Sequence, residues 1–175
     1  MIKTIIALVV VGILIFLGYS LISEKEVDFG NMEIKSVFGN GERIPVKYTA
    51  DGENVNPRVE VLTDPENGQS LVLIVDDPDA PSGDWVHWVV WNIPVGDVDE
   101  NSVPSGAVQG LNDFGIHEYK GPSPPAGTGE HHYHFKIYAL DMFLDIDENS
   151  KKSDVLKAIE GHVLSMGEVV GVYSR

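Results

Sequence analysis

Residues Ser70 to Ile93 read "SLVLIVDDPDAPSGDWVHWVVWNI". After Ser70, the residues Leu71 to Val75 are apolar at consecutive positions rather than alternate ones, the pattern of a central strand covered on both faces. "WVHWVVWNI", Trp85 to Ile93, is a second such run, made of aromatic and β-branched residues that suit a buried pleated surface. Between them lies a polar turn. Pro78 and Pro81 push the residues before them, Asp77 and Ala80, out of helical geometry into extended backbone. The turn is therefore stiff, a good mount for a carboxylate that must keep one orientation. The alternative is that Asp77 and Asp79 accept local backbone hydrogen bonds in an Asx turn.

Outward from this pair, further strands are predicted at Met32 to Phe38, Val46 to Thr49, Arg58 to Leu62, His132 to Leu140 and Glu168 to Tyr173. One helix is predicted over Ser153 to Ser165, capped by Ser150 or Ser153, with Val155, Leu156, Ile159, Val163 and Leu164 as its apolar stripe. The expected class is mainly β, a β-sandwich or related fold with a helix near the C-terminus.

The chain has 175 residues and a net charge of -15, enough for one domain with a core and too acidic for a nucleic-acid surface. With no Cys, disulfides, thiolate metal sites and a cysteine nucleophile are excluded. Residues 5–22 are almost wholly apolar, and a helix of that length rises about 27 Å, close to a bilayer's hydrocarbon thickness. The reading is residues 1–22 as a transmembrane anchor (or a signal peptide), residues 23–31 as a linker and residues 32–175 as the domain. Lys3 before the span and Glu24 and Glu26 after it place that domain outside the cytoplasm of a single-pass membrane protein.

His87 lies inside the second apolar run, where a lone histidine is more often a satisfied core residue; it becomes half of a site if a second ionisable group meets it. "YKGPSPPAGTGEHHYHF", Tyr119 to Phe135, is a Pro-Gly loop entering a strand. Alternation sends His131, Tyr133, Phe135, Ile137 and Ala139 to the core face and His132, His134, Lys136 and Tyr138 to the other. Only His132 and His134 share a face, so no metal site is expected. "HEY" at His117 lacks a second His, "DFG" at Asp113 stands without the rest of a kinase, and Ser123 has no evident base. No catalytic residue and no cofactor are expected.

In order, "VKYTADGENVNP", "SLVLIVDDPDAP", "WVHWVVWNIP", "VQGLNDFG", "YKGPSPPAGTGEHHYHFKIYALD" and the final "VVGVYSR" resemble the phosphatidylethanolamine-binding protein family, in its bacterial and archaeal Raf kinase inhibitor-like branch. The resemblance implies a two-sheet β-sandwich with a C-terminal helix, here preceded by the transmembrane helix, and a small cavity taking phosphate, acetate or a phospholipid headgroup. It carries the pocket onto Asp77 and Asp79, onto His87, and onto His131 with Tyr133. His132 departs from the family's Arg, Ser123 stands where bacterial members often have Cys, and "VEVL" after Arg58 replaces the usual Leu-Ser-Trp. Physically, an anion needs directional donors in a desolvated cleft, which His87, His131, the Tyr133 hydroxyl and the Gly121-Pro122 loop backbone could supply.

The expected function is a membrane-tethered, non-enzymatic module binding a small anion or phosphorylated ligand. The alternative is an inhibitor of a partner protein, a serine protease or a kinase, and the least favoured is a hydrolase using His87, Asp77 and His131.

Overall fold

The computed structural model describes residues 30–63 and 65–175. Along the chain run β1 (Gly30–Asn31), β2 (Ile34–Ser36), β3 (Glu42–Arg43), a 3-10 turn at Val46–Tyr48, β4 (Val59–Val61), β5 (Ser70–Asp77), β6 (Trp85–Ile93), β7 (Val108–Gln109), β8 (His131–Leu140), α1 (Lys152–Ala158) and β9 (Val163–Tyr173). Seven strands make one sheet in the order β1-β9-β8-β5-β6-β7, with β3 also on β9, while β2 and β4 form a second sheet of two. The neighbours of β5 are β6 and β8, both antiparallel, and every residue of β5 is buried. The consecutive apolar run is thus the strand with a packed layer on each side.

Those layers are two cores separated by the sheet. Leu71, Leu73 and Val75 enter one with Phe135, Ile137, Phe38 and Ile44, under the small sheet and the N-terminal loops. Val72 and Ile74 enter the other with Trp91, Leu140 and Val155 of α1. The same alternation continues into the polar end of β5 and sends Asp76 and Asp77 to opposite faces.

Strand β6 breaks its own alternation twice. Val75 pairs with Trp88 but Asp76 pairs with Val86, so His87 is an extra residue, a β-bulge. A second irregularity lies between Leu71 and Leu73, where β6 carries Asn92 at φ 57. Asn92 compensates by exchanging two hydrogen bonds with the Leu144 backbone, at 2.9 and 2.7 Å.

Four expectations are corrected here. The strand expected over Val46 to Thr49 is a 3-10 turn at Val46–Tyr48. The helix ends at Ala158, not Ser165. Gly161, at φ 81, turns the chain, and Val163 and Leu164 begin β9, with Val163 paired to Leu140. Nor does a serine cap α1; the Asp154 carboxylate accepts the Lys151 N–H at 2.9 Å. The transmembrane helix of the expected architecture is also withdrawn. Among the described residues no helix is long and apolar enough to cross a membrane; α1 has 7 residues where a span needs about 20. Residues 1–22, on which that expectation fell, lie outside the described residues.

Candidate functional site

The polar end of β5 divides its two carboxylates by face. Asp76, 1% exposed, meets the Lys136 Nζ at 2.8 Å and the Lys152 Nζ at 2.6 Å on the α1 side. Asp77 goes to the opposite face, where its Oδ2 accepts the His131 Nδ1–H at 2.8 Å, both side chains being under 5% exposed. Its Oδ1 accepts the Asp79 N–H at 2.9 Å, so Asp77 makes the Asx turn and holds an imidazole at once.

His131 and Tyr133 share the core face of β8, and their rings stack with centroids 6.5 Å apart. His131 Nε2 lies 2.9 Å from the Thr128 hydroxyl, which donates to the Pro125 carbonyl at 2.8 Å. The bulge delivers the next element. Strict alternation would point His87 away from Trp88, but the extra residue turns both toward the same core, with the His87 ring edge-on to Tyr133 at 5.2 Å. His87 Nδ1 donates to the Lys120 carbonyl. Burial pulls the His87 pKa below its ordinary value, disfavouring the imidazolium.

Asp77, His87, His131 and Tyr133 line one cavity of about 230 Å³ together with Trp85, Phe114 and Pro124. Its floor holds an unsatisfied group. The Tyr133 hydroxyl is buried with no partner at full hydrogen-bond geometry, although the Asp77 carboxylate and the Ser123 backbone lie close by; burial first, then Asp77, push its pKa up, and Ser123 pulls weakly the other way. A cavity of about 260 Å³ beside Trp88 and Tyr119, and another of about 290 Å³ under α1, are comparable in size. Neither is lined by a buried polar atom lacking a partner; a fourth, of about 320 Å³ beside β1, does have one, the Ser165 hydroxyl, but no imidazole lines it.

Three of the residues expected at the site do not line the cavity. Asp79 points outward, where its Oδ2 accepts the His132 N–H at 2.9 Å and the His132 Nδ1–H at 2.7 Å. That imidazole holds the Asp79 carboxyl below the usual carboxylate range. Gly121 spends its N–H on the Asn54 side chain at 2.8 Å, and Pro122 has no N–H to give. Gly121 is there for space, because a Cβ would lie 2.2 Å from the Tyr48 carbonyl oxygen.

Other lining residues escaped the sequence reading. Phe114 stands edge-on to both His87 and Trp85, at 5.3 and 5.4 Å, and forms a half-exposed lip. Buried Asn112 holds it there, its Oδ1 accepting the Phe114 and Ile116 N–H groups while its Nδ2 donates to the His87 and Glu118 carbonyls. Asn-Asp-x-Gly turn chemistry around an aromatic residue was the available signal. Behind the cavity, Ser123 Oγ accepts from Arg175 at 3.1 Å, and Arg175 is clamped by Asp51, which Tyr173 also contacts. Among the described residues no group of three or more His, Asp or Glu side chains is arranged to hold a metal ion.

Comparison with known proteins places this geometry. The family described as phosphatidylethanolamine-binding protein matches residues 34–174. The UPF0098 protein of Pyrococcus horikoshii is 44% identical, over 95% of this chain and 88% of its own length. The UPF0098 protein of Methanothermobacter thermautotrophicus is 45% identical over 82% of this chain and 99% of its own. Among solved structures, a phosphatidylethanolamine-binding protein homolog from Chlamydia trachomatis superposes with a TM-score of 0.77 at 37% identity, covering 83% of this chain and 99% of the other. Escherichia coli YbcL gives a TM-score of 0.77 at 31% identity, with the same coverage. The family match takes in β2 to β9, α1 and every residue that lines the cavity, and the chain belongs to the phosphatidylethanolamine-binding protein family.

Proposed function

We propose that this chain is a non-enzymatic binding protein whose cavity holds a small oxyanion, a phosphate group or a phosphorylated headgroup. Family membership supports a binding role of this general kind. The observation that carries the finer reading is the Tyr133 hydroxyl, buried without a partner in a cavity lined by two imidazoles. A buried hydroxyl left unpaired costs about 1–3 kcal/mol, which a ligand oxygen would recover. Both Asp77 oxygens already accept hydrogen bonds, one from the Asp79 N–H and one from His131, so they are turned to those partners rather than to a ligand.

The cavity volume of about 230 Å³ suits a phosphate with a short substituent rather than a whole lipid. The apolar walls from Pro124, Pro125, Trp85 and Phe114 exclude water around it and strengthen each hydrogen bond. Of the two serine hydroxyls lining this space, Ser123 Oγ accepts from Arg175, and neither Ser123 nor Ser82 is hydrogen-bonded to a basic side chain that could take its proton, among the described residues.

The test is an NMR titration of the full-length chain with inorganic phosphate and with phosphoethanolamine, repeated on His87→Ala and His131→Ala. Saturable shifts on Asp77, His87, His131 and Tyr133, lost in both variants, are the expected outcome. Diffuse or absent shifts with both ligands would sink the reading.

A further inference from the structure

The protons available inside the cavity restrict which anions it can hold, an inference that rests on the oxyanion reading above. His87 Nδ1 faces the Lys120 carbonyl, which can only accept, so Nδ1 carries a proton. The nitrogen left for a ligand is Nε2, a lone-pair acceptor while the ring is neutral. Burial favours that neutral ring; the Lys120 carbonyl and the carboxylates of Asp77, Asp76 and Asp113 oppose burial without overturning it. The rings packed against His87, from Phe114 and Tyr133, carry no charge.

His131 is engaged at both ring nitrogens, Nδ1 with Asp77 and Nε2 with the Thr128 hydroxyl, so neither is free for a ligand. No Lys or Arg lines the cavity. The groups left to meet a ligand are the Tyr133 hydroxyl as donor and His87 Nε2 as acceptor.

We infer that the cavity selects oxyanions that carry their own proton, phosphomonoester monoanions foremost, over permanently ionised ones such as sulfate. The ligand's P–O–H donates to His87 Nε2, and the Tyr133 hydroxyl donates to another phosphoryl oxygen. Sulfate has the same tetrahedral shape but no proton near neutral pH. It would set an oxygen lone pair against the Nε2 lone pair, or force His87 to take a proton from solvent against its burial. A phosphate monoester, with its second pKa near about 6, brings that proton at mildly acid pH.

Calorimetric titration of the full-length chain at mildly acid pH, with inorganic phosphate and with sulfate in two buffers of different ionisation heat, tests this. Phosphate should bind about tenfold or more tightly than sulfate and without proton uptake, while any sulfate binding should draw a proton from the buffer. Equal affinities would overturn the selectivity and leave the oxyanion reading standing; no binding of either would overturn both. His87→Gln, whose carboxamide can donate as well as accept, should erase the difference. Because His87 is buried and that variant could fail to fold, nitrogen-15 spectra of the unaltered chain give an independent check. They should show His87 protonated on Nδ1 and bare on Nε2, and the opposite tautomer would overturn the inference.

Discussion

Tyr133 and His87 are the two side chains in which folding and binding pull in different directions. Tyr133 keeps a buried hydroxyl without a partner, so Tyr133→Phe should stabilise the free protein by about 1 kcal/mol and weaken phosphate binding about tenfold or more. Denaturant unfolding and titration on the same variant read both effects. His87 supplies a pH dependence with a definite sign. Its folded pKa is lowered from 6.5 by burial, so between the two values the unfolded chain binds the extra proton. The stability due to a neutral His87 is complete above 6.5 and is lost as pH falls through the depressed folded value. Urea midpoints measured from about pH 8 to about pH 5 should fall on the acid side, and His87→Gln should flatten that part of the slope.

At the scale of elements, what the sequence discloses depends on whether a strand keeps its period. β5, β6 and β8 were legible as apolar runs, and alternation along β8 correctly separated buried His131 and Tyr133 from the outward His132 and His134. The bulge in β6 was not legible, because one extra residue is set by the partner strand's register and leaves no mark in composition. His87 could therefore be picked out as buried but not aimed. The helix was overextended because Val163 and Leu164 fit an apolar stripe as well as a strand, and only pairing with β8 decides between them. Phe114 was missed because its position comes from the hydrogen bonds of Asn112. Two predictions follow from this packing. Asp76 is a buried carboxylate joining β5 to Lys136 of β8 and Lys152 of α1, and Asp76→Ala should cost about 3–5 kcal/mol in chemical unfolding by leaving the Lys136 ammonium unpaired and Lys152 with Asp84 alone. Gly121→Ala should cost about 1–3 kcal/mol and displace the 119–123 segment, visible as amide shifts at Tyr48 and Lys120, because its Cβ has no room.

Across the whole molecule, the site draws on residues far apart in sequence, and Arg175 shows how far the support reaches. Its guanidinium bridges Asp51 and Ser123, tying the segment after the 3-10 turn to the proline wall of the cavity. The pair is partly exposed, so Arg175→Ala should lower global stability by no more than about 1 kcal/mol. Phosphate binding should suffer more, since the Ser123 to Pro125 wall loses its brace, and titration beside thermal unfolding separates the two effects. The net charge of -15 acts at the same scale. It repels incoming anions at long range, so phosphate association should quicken as an inert salt is added.

The pairing of Asp77 with His131 spans 54 residues of sequence, and the Arg175 brace spans 52 more from Ser123. In the time order of synthesis, β5 and β6 leave the ribosome with their carboxylate and bulged histidine in place but with nothing to bind. The site comes into being only when β8, made later, docks along β5. On the proposed binding role, ligand capture would be a late event in the life of the chain, and a phosphate-responsive signal from Tyr133 would serve as a stopwatch for the completion of folding.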